Sequence, residues 1–252
     1  MLNPSLNFPH YWEIFARTGR VQMQNFLQPE VAEQLHDCLT SQIEWSVALR
    51  NSKGISGTLG DVRLPESDSP SYRELIAQAS RDAKGRYGFI YESYMMVRAY
   101  REGRDPGNLL HRVLEYMNSA PFLDFCRAVS DDKSIRRVSA QATRFREGMF
   151  LRTHNDQDST EGRVVAYVIN LSRDWHADWG GLLQFLEKGG GVSETFLPRF
   201  NSLSLFRVPA DHCVSIVSPW AERPRLAITG WWETLAGVET MHKTQSDAGC
   251  RR

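Results

Sequence analysis

The 252-residue chain reads as a mainly β protein whose C-terminal half closes into a sandwich or barrel and whose N-terminal half supplies flanking helices. Two observations carry the β assignment. Short strand-like runs recur at 135–145 (IRRVSAQATRF), 163–171 (RVVAYVINL), 181–186, 202–206 (SLSLF), 214–217 and 226–232. Turn signals at Gly180-Gly181, Gly189-Gly190-Gly191 and Pro198 separate them, the spacing expected of a sandwich or barrel. A third observation concerns the barrel mouth: His154-Asn155-Asp156 is answered far along the chain by His212, a set suited to a metal.

From the N terminus, residues 10–18 (HYWEIFART) suit a short helix and 21–26 (VQMQNF) a strand. Pro29 stands in a first turn, where helices tolerate it. Val31, Leu35, Leu39 and Ile43 follow at helical spacing, giving a helix that packs on the barrel with His36 as a surface or packing residue. Residues 45–49 suit a strand, and 51–68, polar and without a period, a surface loop or a lid over substrate. Residues 71–83 suit a helix, and 87–97 (YGFIYESYMMV) one strand or a bent pair whose Tyr and Met side chains form core or wall. Residues 101–107 (REGRDPG) form a turn-rich connector. Helices over 109–117 and 121–129 follow, the first with a structural His111 and the second opened by Pro121. With no internal repeat and no linker, residues 1–252 are expected to form a single catalytic domain. It divides into a buttress over 1–131, a β core over 132–235 and a tail over 236–252 that lacks apolar periodicity.

Lys plus Arg equal Asp plus Glu at 30 each, so no charge excess points to nucleic acid or a membrane surface. Cys38, Cys126, Cys213 and Cys250 are scattered, which fits reduced thiols better than a disulfide framework. The N-terminal MLNPSLNFPHYWEIF has no basic region followed by an apolar run, and no apolar stretch approaches about 18 residues. The expected compartment is the cytoplasm.

The chemistry rests on spacing. Residues two apart in an extended strand point to the same side, so His154 and Asp156 are expected to converge on one ion while Asn155 points away. His212 from a distant strand completes two imidazoles and one carboxylate with coordination positions left open, the set that suits non-haem Fe(II). His176 is the decoy: it lies in a turn-like segment with no carboxylate at strand spacing. Arg225, thirteen residues after His212, is expected on an adjacent antiparallel strand facing the same mouth, where a buried guanidinium needs an anion. An internal Glu or Asp is the alternative partner, and Arg223 the competitor for the role. Zinc accepts the same ligands, but a zinc hydrolase needs a general base and leaves Arg225 without a task.

These residues carry a resemblance. The stretch from Arg144 to Trp232 resembles the iron(II)- and 2-oxoglutarate-dependent dioxygenases, particularly the prolyl 4-hydroxylase-like branch. The resemblance rests on His154-x-Asp156, Asp174-Trp175 with Trp179-Gly180-Gly181, Pro198-Arg199-Phe200-Asn201 with Leu205-Phe206, His212-x-Val214, and Arg225-x-Ala227-Ile228-Thr229-x-Trp231. It implies a double-stranded β-helix (jelly-roll, cupin-like) core. It puts iron on His154, Asp156 and His212, and the remote carboxylate of 2-oxoglutarate on Arg225 with the Thr229 hydroxyl beside it. It also implies O2 as co-substrate and admits ascorbate as a reductant. Two positions depart from the oxygen-sensing prolyl hydroxylases: Phe145 and Asn170 stand where that branch carries tyrosines. Asn170, or the phenol of nearby Tyr167, is therefore the candidate for the remaining co-substrate contact.

The implied reaction couples decarboxylation of 2-oxoglutarate, to succinate and CO2, with hydroxylation of an unactivated C–H bond. Asp156 favours hydroxylation over halogenation, because its carboxylate fills the position a halide would need. A prolyl residue of a protein or peptide leads as substrate. A free amino acid or small metabolite comes next, and a non-catalytic jelly-roll binding protein is the alternative of another class. Trp220, Trp231, Trp232 and the 51–68 loop are candidates for shaping the substrate entrance.

Overall fold

A computed structural model describes residues 1–50, 53, 56–59, 66, 69–158 and 162–234; the 51–68 loop for the most part and the tail from 235, with His242 and Cys250, lie outside the described residues. Among the described residues the chain forms α1 (Phe8–Thr18), β1 (Arg20–Gln24), α2 (Pro29–Ser41), β2 (Ser46–Arg50), β3 (Ser56–Leu59), α3 (Pro70–Asp82) and β4 (Phe89–Tyr94). There follow α4 (Met96–Glu102), α5 (Leu109–Met117), α6 (Ala120–Ser130), β5 (Ile135–Val138), β6 (Gln141–Phe145), β7 (Phe150–His154) and β8 (Arg163–Asn170). The chain continues with β9 (Leu183–Leu186), β10 (Val192–Phe196), β11 (Ser202–Arg207), β12 (His212–Val214) and β13 (Arg225–Thr234).

The strands pair antiparallel in the order β1-β11-β8-β13-β6-β4-β7-β12-β9-β10, with β2 and β5 added beside β4 and β13. The two ends of this order are laced together by side chains. Arg20 on β1 pairs with Glu194 on β10 at 2.8 Å, and the Gln22 amide donates to the Leu197 carbonyl at 2.9 Å. The result is a nearly closed, barrel-like jelly-roll, as the resemblance implied. Closure of this kind leaves few open sheet edges.

Helices α1, α2, α4, α5 and α6 pack on the face of β8 and β13 that points away from the barrel interior, whereas α3 packs on β2 and β4. Leu35 and Leu39 of α2, Leu110 and Val113 of α5, and Phe122 and Cys126 of α6 meet Val165, Tyr167, Ile169, Leu226, Ile228 and Trp232 in the main core. Local signals fix the helix ends: the Asn7 side chain accepts from the His10 amide and Gly19 closes α1 in the left-handed region, while Ser69 caps α3 through the Tyr72 amide. His36 lies against this packing, with Nδ1 2.8 Å from the Leu171 carbonyl, and His111 is buried in α5. No described helix is long and apolar enough to cross a membrane.

Several boundaries differ from expectation. The 135–145 run breaks at Ser139-Ala140 into β5 and β6, and Gly230 lies against the break: a methyl there would overlap the Ser139 carbonyl. The 87–97 run is strand only to Tyr94; Met96–Glu102 turns helical, taking the end of that run and the first two residues of the expected 101–107 connector. Strand β10 had no sequence expectation, since four of its five residues are exposed and it carries little hydrophobic signal.

Candidate metal centre and anion pocket

The metal candidates meet at the mouth. His154 Nε2 lies 3.2 Å from Asp156 Oδ1, His212 Nε2 lies 3.5 Å from Asp156 Oδ2, and the two imidazole centroids are 4.1 Å apart. Their ligand atoms all fall within 4.8 Å of one another. His154 ends β7 and pairs across the ladder with His212 on β12, so backbone register alone holds the imidazoles side by side. Asp156 arrives differently from the sequence expectation. The strand stops at His154, and Asp156 sits at φ 60°, in the left-handed region that aspartate tolerates better than most residues. The Asn155 side chain accepts from the Gln157 amide and shapes this turn. Convergence therefore comes from a turn, not from strand alternation.

The ring orientations suit a cation. His154 Nδ1 is 3.0 Å from the Arg152 carbonyl and His212 Nδ1 is 2.8 Å from the Ala210 carbonyl. A nitrogen beside a carbonyl must carry the proton, so each neutral ring turns the Nε2 lone pair toward Asp156. Three electron-rich groups then crowd one point, and a cation there converts the repulsion into coordination. Burial holds the His212 imidazole down at about 4, with the neighbouring His154 adding to the effect, so it is neutral and ready to ligate at neutral pH. For Asp156, burial pushes upward, but the His154 contact and the electrostatic interaction with His212 and His154 outweigh it and leave the carboxyl below its ordinary range. The Trp231 indole N–H faces this carboxylate without reaching hydrogen-bond geometry.

A chamber of about 180 Å³ opens from the triad to Arg225. Arg225 is 3% exposed, its guanidinium lies 5.2 Å over the Phe145 ring, and its Nε has no hydrogen-bond partner. Burial lowers it to about 10, which leaves it charged at neutral pH. Asp156 is the only carboxylate among the described residues lining the chamber, so neither an internal acid for Arg225 nor a second carboxylate for zinc hydrolysis is at hand. Arg223 pairs with Asp174 at the surface and is out of contention. Arg225 does not lie on a strand adjacent to that of His212, as expected; β13 sits between β8 and β6, and the two residues face each other across the barrel.

Thr229 lines the same chamber, with its hydroxyl donating to the Tyr167 carbonyl at 2.9 Å. Tyr167 itself is a correction. Its phenol points to the opposite face of the sheet, buried in the helix-backed core and donating to the Ser139 carbonyl at 2.8 Å. Asn170 is another: it shares the inner face, but its amide turns to β11 and donates to Ser202 and Ser204 at 3.1 and 3.3 Å, away from the chamber lining. Ser202 stands opposite Asn170 in the ladder, which puts a hydroxyl within reach of so short a side chain. His176 lies against Trp179, ring centroids 5.0 Å apart, outside the triad.

Two aromatic residues taken for wall line the chamber instead. Tyr91 on β4 stacks on Phe145 with centroids 5.0 Å apart, and Tyr87 lies 5.6 Å from the His154 ring. Burial pushes the Tyr91 phenol up, so it is a neutral donor. Their signal was the alternation Tyr87, Phe89, Tyr91 at a period of two, which sends one aromatic face inward.

Residues 140–233 match the model of the 2OG-Fe(II) oxygenase superfamily. A comparison with curated proteins returns no match. Among solved structures, the chain is similar to a Pseudomonas putida prolyl-4-hydroxylase (17% identity, 90% of this chain and 98% of that chain, TM-score 0.56). A Trichoplax adhaerens prolyl hydroxylase in complex with a hypoxia inducible factor peptide fragment is also similar (15%, 92% of each chain, TM-score 0.54). So is the non-heme alpha ketoglutarate dependent epimerase SnoN from nogalamycin biosynthesis (12%, 88% and 80%, TM-score 0.53). Identities this low speak for the fold, and the fold carries more than one reaction.

Proposed function

Taking residues 140–233 as a 2OG-Fe(II) oxygenase domain, we propose that this chain is a dioxygenase that hydroxylates an unactivated C–H bond, with a prolyl residue of a protein or peptide as the leading substrate. The observation that carries the reading is Arg225: a buried guanidinium with no carboxylate partner among the described residues, at the far end of the chamber that begins at His154, Asp156 and His212. A buried charge left in this state calls for a ligand of opposite sign.

His154, Asp156 and His212 would hold Fe(II), and Arg225, backed by Phe145 and flanked by Thr229, would receive the remote carboxylate of 2-oxoglutarate. Iron with 2-oxoglutarate and O2 supplies the oxidising power, ending in succinate, CO2 and one oxygen atom inserted into the substrate. The chain's own contribution is positioning and exclusion. The carbonyls of Arg152 and Ala210 fix both imidazole tautomers, and the depressed His212 keeps protons from competing for the metal. Leu183, Phe206 and Val168 line the chamber with apolar surface, which strengthens the Arg225 attraction. The prolyl preference is supported by the prolyl hydroxylases that share the fold. Unpaired Cys38, Cys126 and Cys213 support a reducing, cytoplasmic setting.

The test is succinate release from 2-oxoglutarate with Fe(II) and ascorbate present. His154→Ala and Asp156→Ala are each expected to lower it by about 10³-fold or more. Substantial succinate from folded Asp156→Ala would reject this ligand set.

A further inference from the structure

We propose that Tyr91 is a co-substrate-binding residue whose hydroxyl donates to the keto acid at the end held by the metal triad; this rests on the oxygenase reading above. Tyr91 lies on β4, outside residues 140–233 that match the oxygenase model. On this assignment the N-terminal half contributes to the site as well as buttressing it. Register sets the position. Arg225 on β13 faces Phe145 on β6, and Tyr91 stands beside Phe145, next to the Glu92–Arg144 pair of the β4–β6 ladder. The three side chains therefore form one row across three neighbouring strands on the inner face. The guanidinium lies 5.2 Å over the Phe145 ring, and the Tyr91 ring stacks on the same phenyl at 5.0 Å with 19° between the planes. A ligand that reaches from Arg225 to the triad through a chamber of about 180 Å³ has little room to avoid this row. Phe145 can offer it no hydrogen bond, whereas Tyr91 can.

The other donors near this path are turned elsewhere. The Thr229 hydroxyl donates to the Tyr167 carbonyl, and the Thr143 hydroxyl is turned to the Ala227 carbonyl at 3.5 Å. Tyr167 faces the helix-backed core, and the Asn170 amide is bonded to β11. Tyr87 stands against the His154 ring and under the Arg50 guanidinium, two inward positions back along the chain from Tyr91. A carboxylate brought among Leu183, Phe206 and Val168 loses water and needs a donor in its place. Tyr91 is half-buried and its open surface is chamber wall. The Gln141 amide, whose residue pairs with Thr229 across the ladder, faces the phenol oxygen as a donor, so the hydroxyl proton is left for the ligand. The charge of Asp156 acts on the same phenol, which sets the hydroxyl toward the triad rather than toward Arg225.

The test is anaerobic titration of 2-oxoglutarate into the full chain loaded with Fe(II), read by the visible charge-transfer band of the chelated keto acid, in the wild type, Tyr91→Phe and Tyr87→Phe. Tyr91→Phe keeps the ring stack and loses only the hydroxyl. Its midpoint is expected to rise about tenfold or more, as for loss of one hydrogen bond to a charged group. Its band is expected to move to shorter wavelength, because a hydrogen bond to the chelating end lowers the level that accepts the electron. Tyr87→Phe is expected to stay within about twofold of the wild type. A Tyr91→Phe midpoint within about twofold of the wild type, an unmoved band, or a larger loss in Tyr87→Phe would overturn the proposal. The wild-type band separates the two levels. A wild-type band that Tyr91→Phe leaves unchanged removes this assignment alone, while no band in folded wild-type protein removes the oxygenase reading and the assignment with it.

Discussion

Glu92 and Arg225 sit back to back across one sheet and meet opposite fates. Glu92 on β4 faces Arg144 on β6 in register, accepts from its guanidinium at 2.5 and 2.8 Å, and takes a further contact from Arg146 at 3.2 Å. Phe145, the next residue of β6, points to the other face and stands under Arg225, which has no acid partner among the described residues. Both sites bury charge. In one the chain supplies both signs and gains a fixed strand pairing; in the other it supplies one sign and leaves the second to a ligand. Burial alone therefore does not mark function, whereas burial without a counter-charge does.

Breaking the satisfied site is expected to have the larger effect on stability. Glu92→Gln leaves two arginines facing each other without their anion and should destabilise the protein by about 3 kcal/mol or more in denaturant melts; a loss below about 1 kcal/mol would mean that the cluster is solvated and the contrast false. The next effect lies at the triad. The folded His212 sits at about 4, below its unfolded value near 6.5, so the unfolded chain binds the extra proton between these pH values. Stability of metal-free protein should thus be full above about pH 6.5 and fall toward pH 4, by up to about 3 kcal/mol, with Fe(II) opposing the fall. A flat stability profile across that window would place the imidazole in water. Smallest is Arg225→Met, which removes an uncompensated buried charge and should leave the melting midpoint unchanged or raise stability by about 1 kcal/mol. A loss comparable to that of Glu92→Gln would reveal an anion partner within the protein.

Much of this was legible in the sequence, by unequal routes. His154, Asp156, His212 and Arg225 could be singled out because few residue types ligate metals or hold anions. Strand spacing alone does not bring them together, since the left-handed Asp156 and the facing of β12 and β13 across the barrel are tertiary facts. Tyr167 was misread because β8 runs RVVAYVIN, apolar on both faces, and such a strand carries no alternation from which to tell inside from outside. Ala166 and Val168 line the chamber, and Tyr167 therefore cannot. Tyr91 was missed for the opposite reason: its strand does alternate, but aromatic side chains at that period fit core and wall equally well. The 51–68 loop, named as a lid candidate, lies mostly outside the described residues.

The central claim is that Arg225 awaits the remote carboxylate of a keto acid chelated by the triad. Anaerobic titration of 2-oxoglutarate into Fe(II)-loaded protein, followed by the weak visible charge-transfer band, tests it most directly. A saturable band in the wild type that needs about 30-fold more 2-oxoglutarate or beyond in Arg225→Met, consistent with loss of a charge-assisted contact, is the expected result. No band in folded wild-type protein, or an unchanged midpoint in the variant, would contradict it.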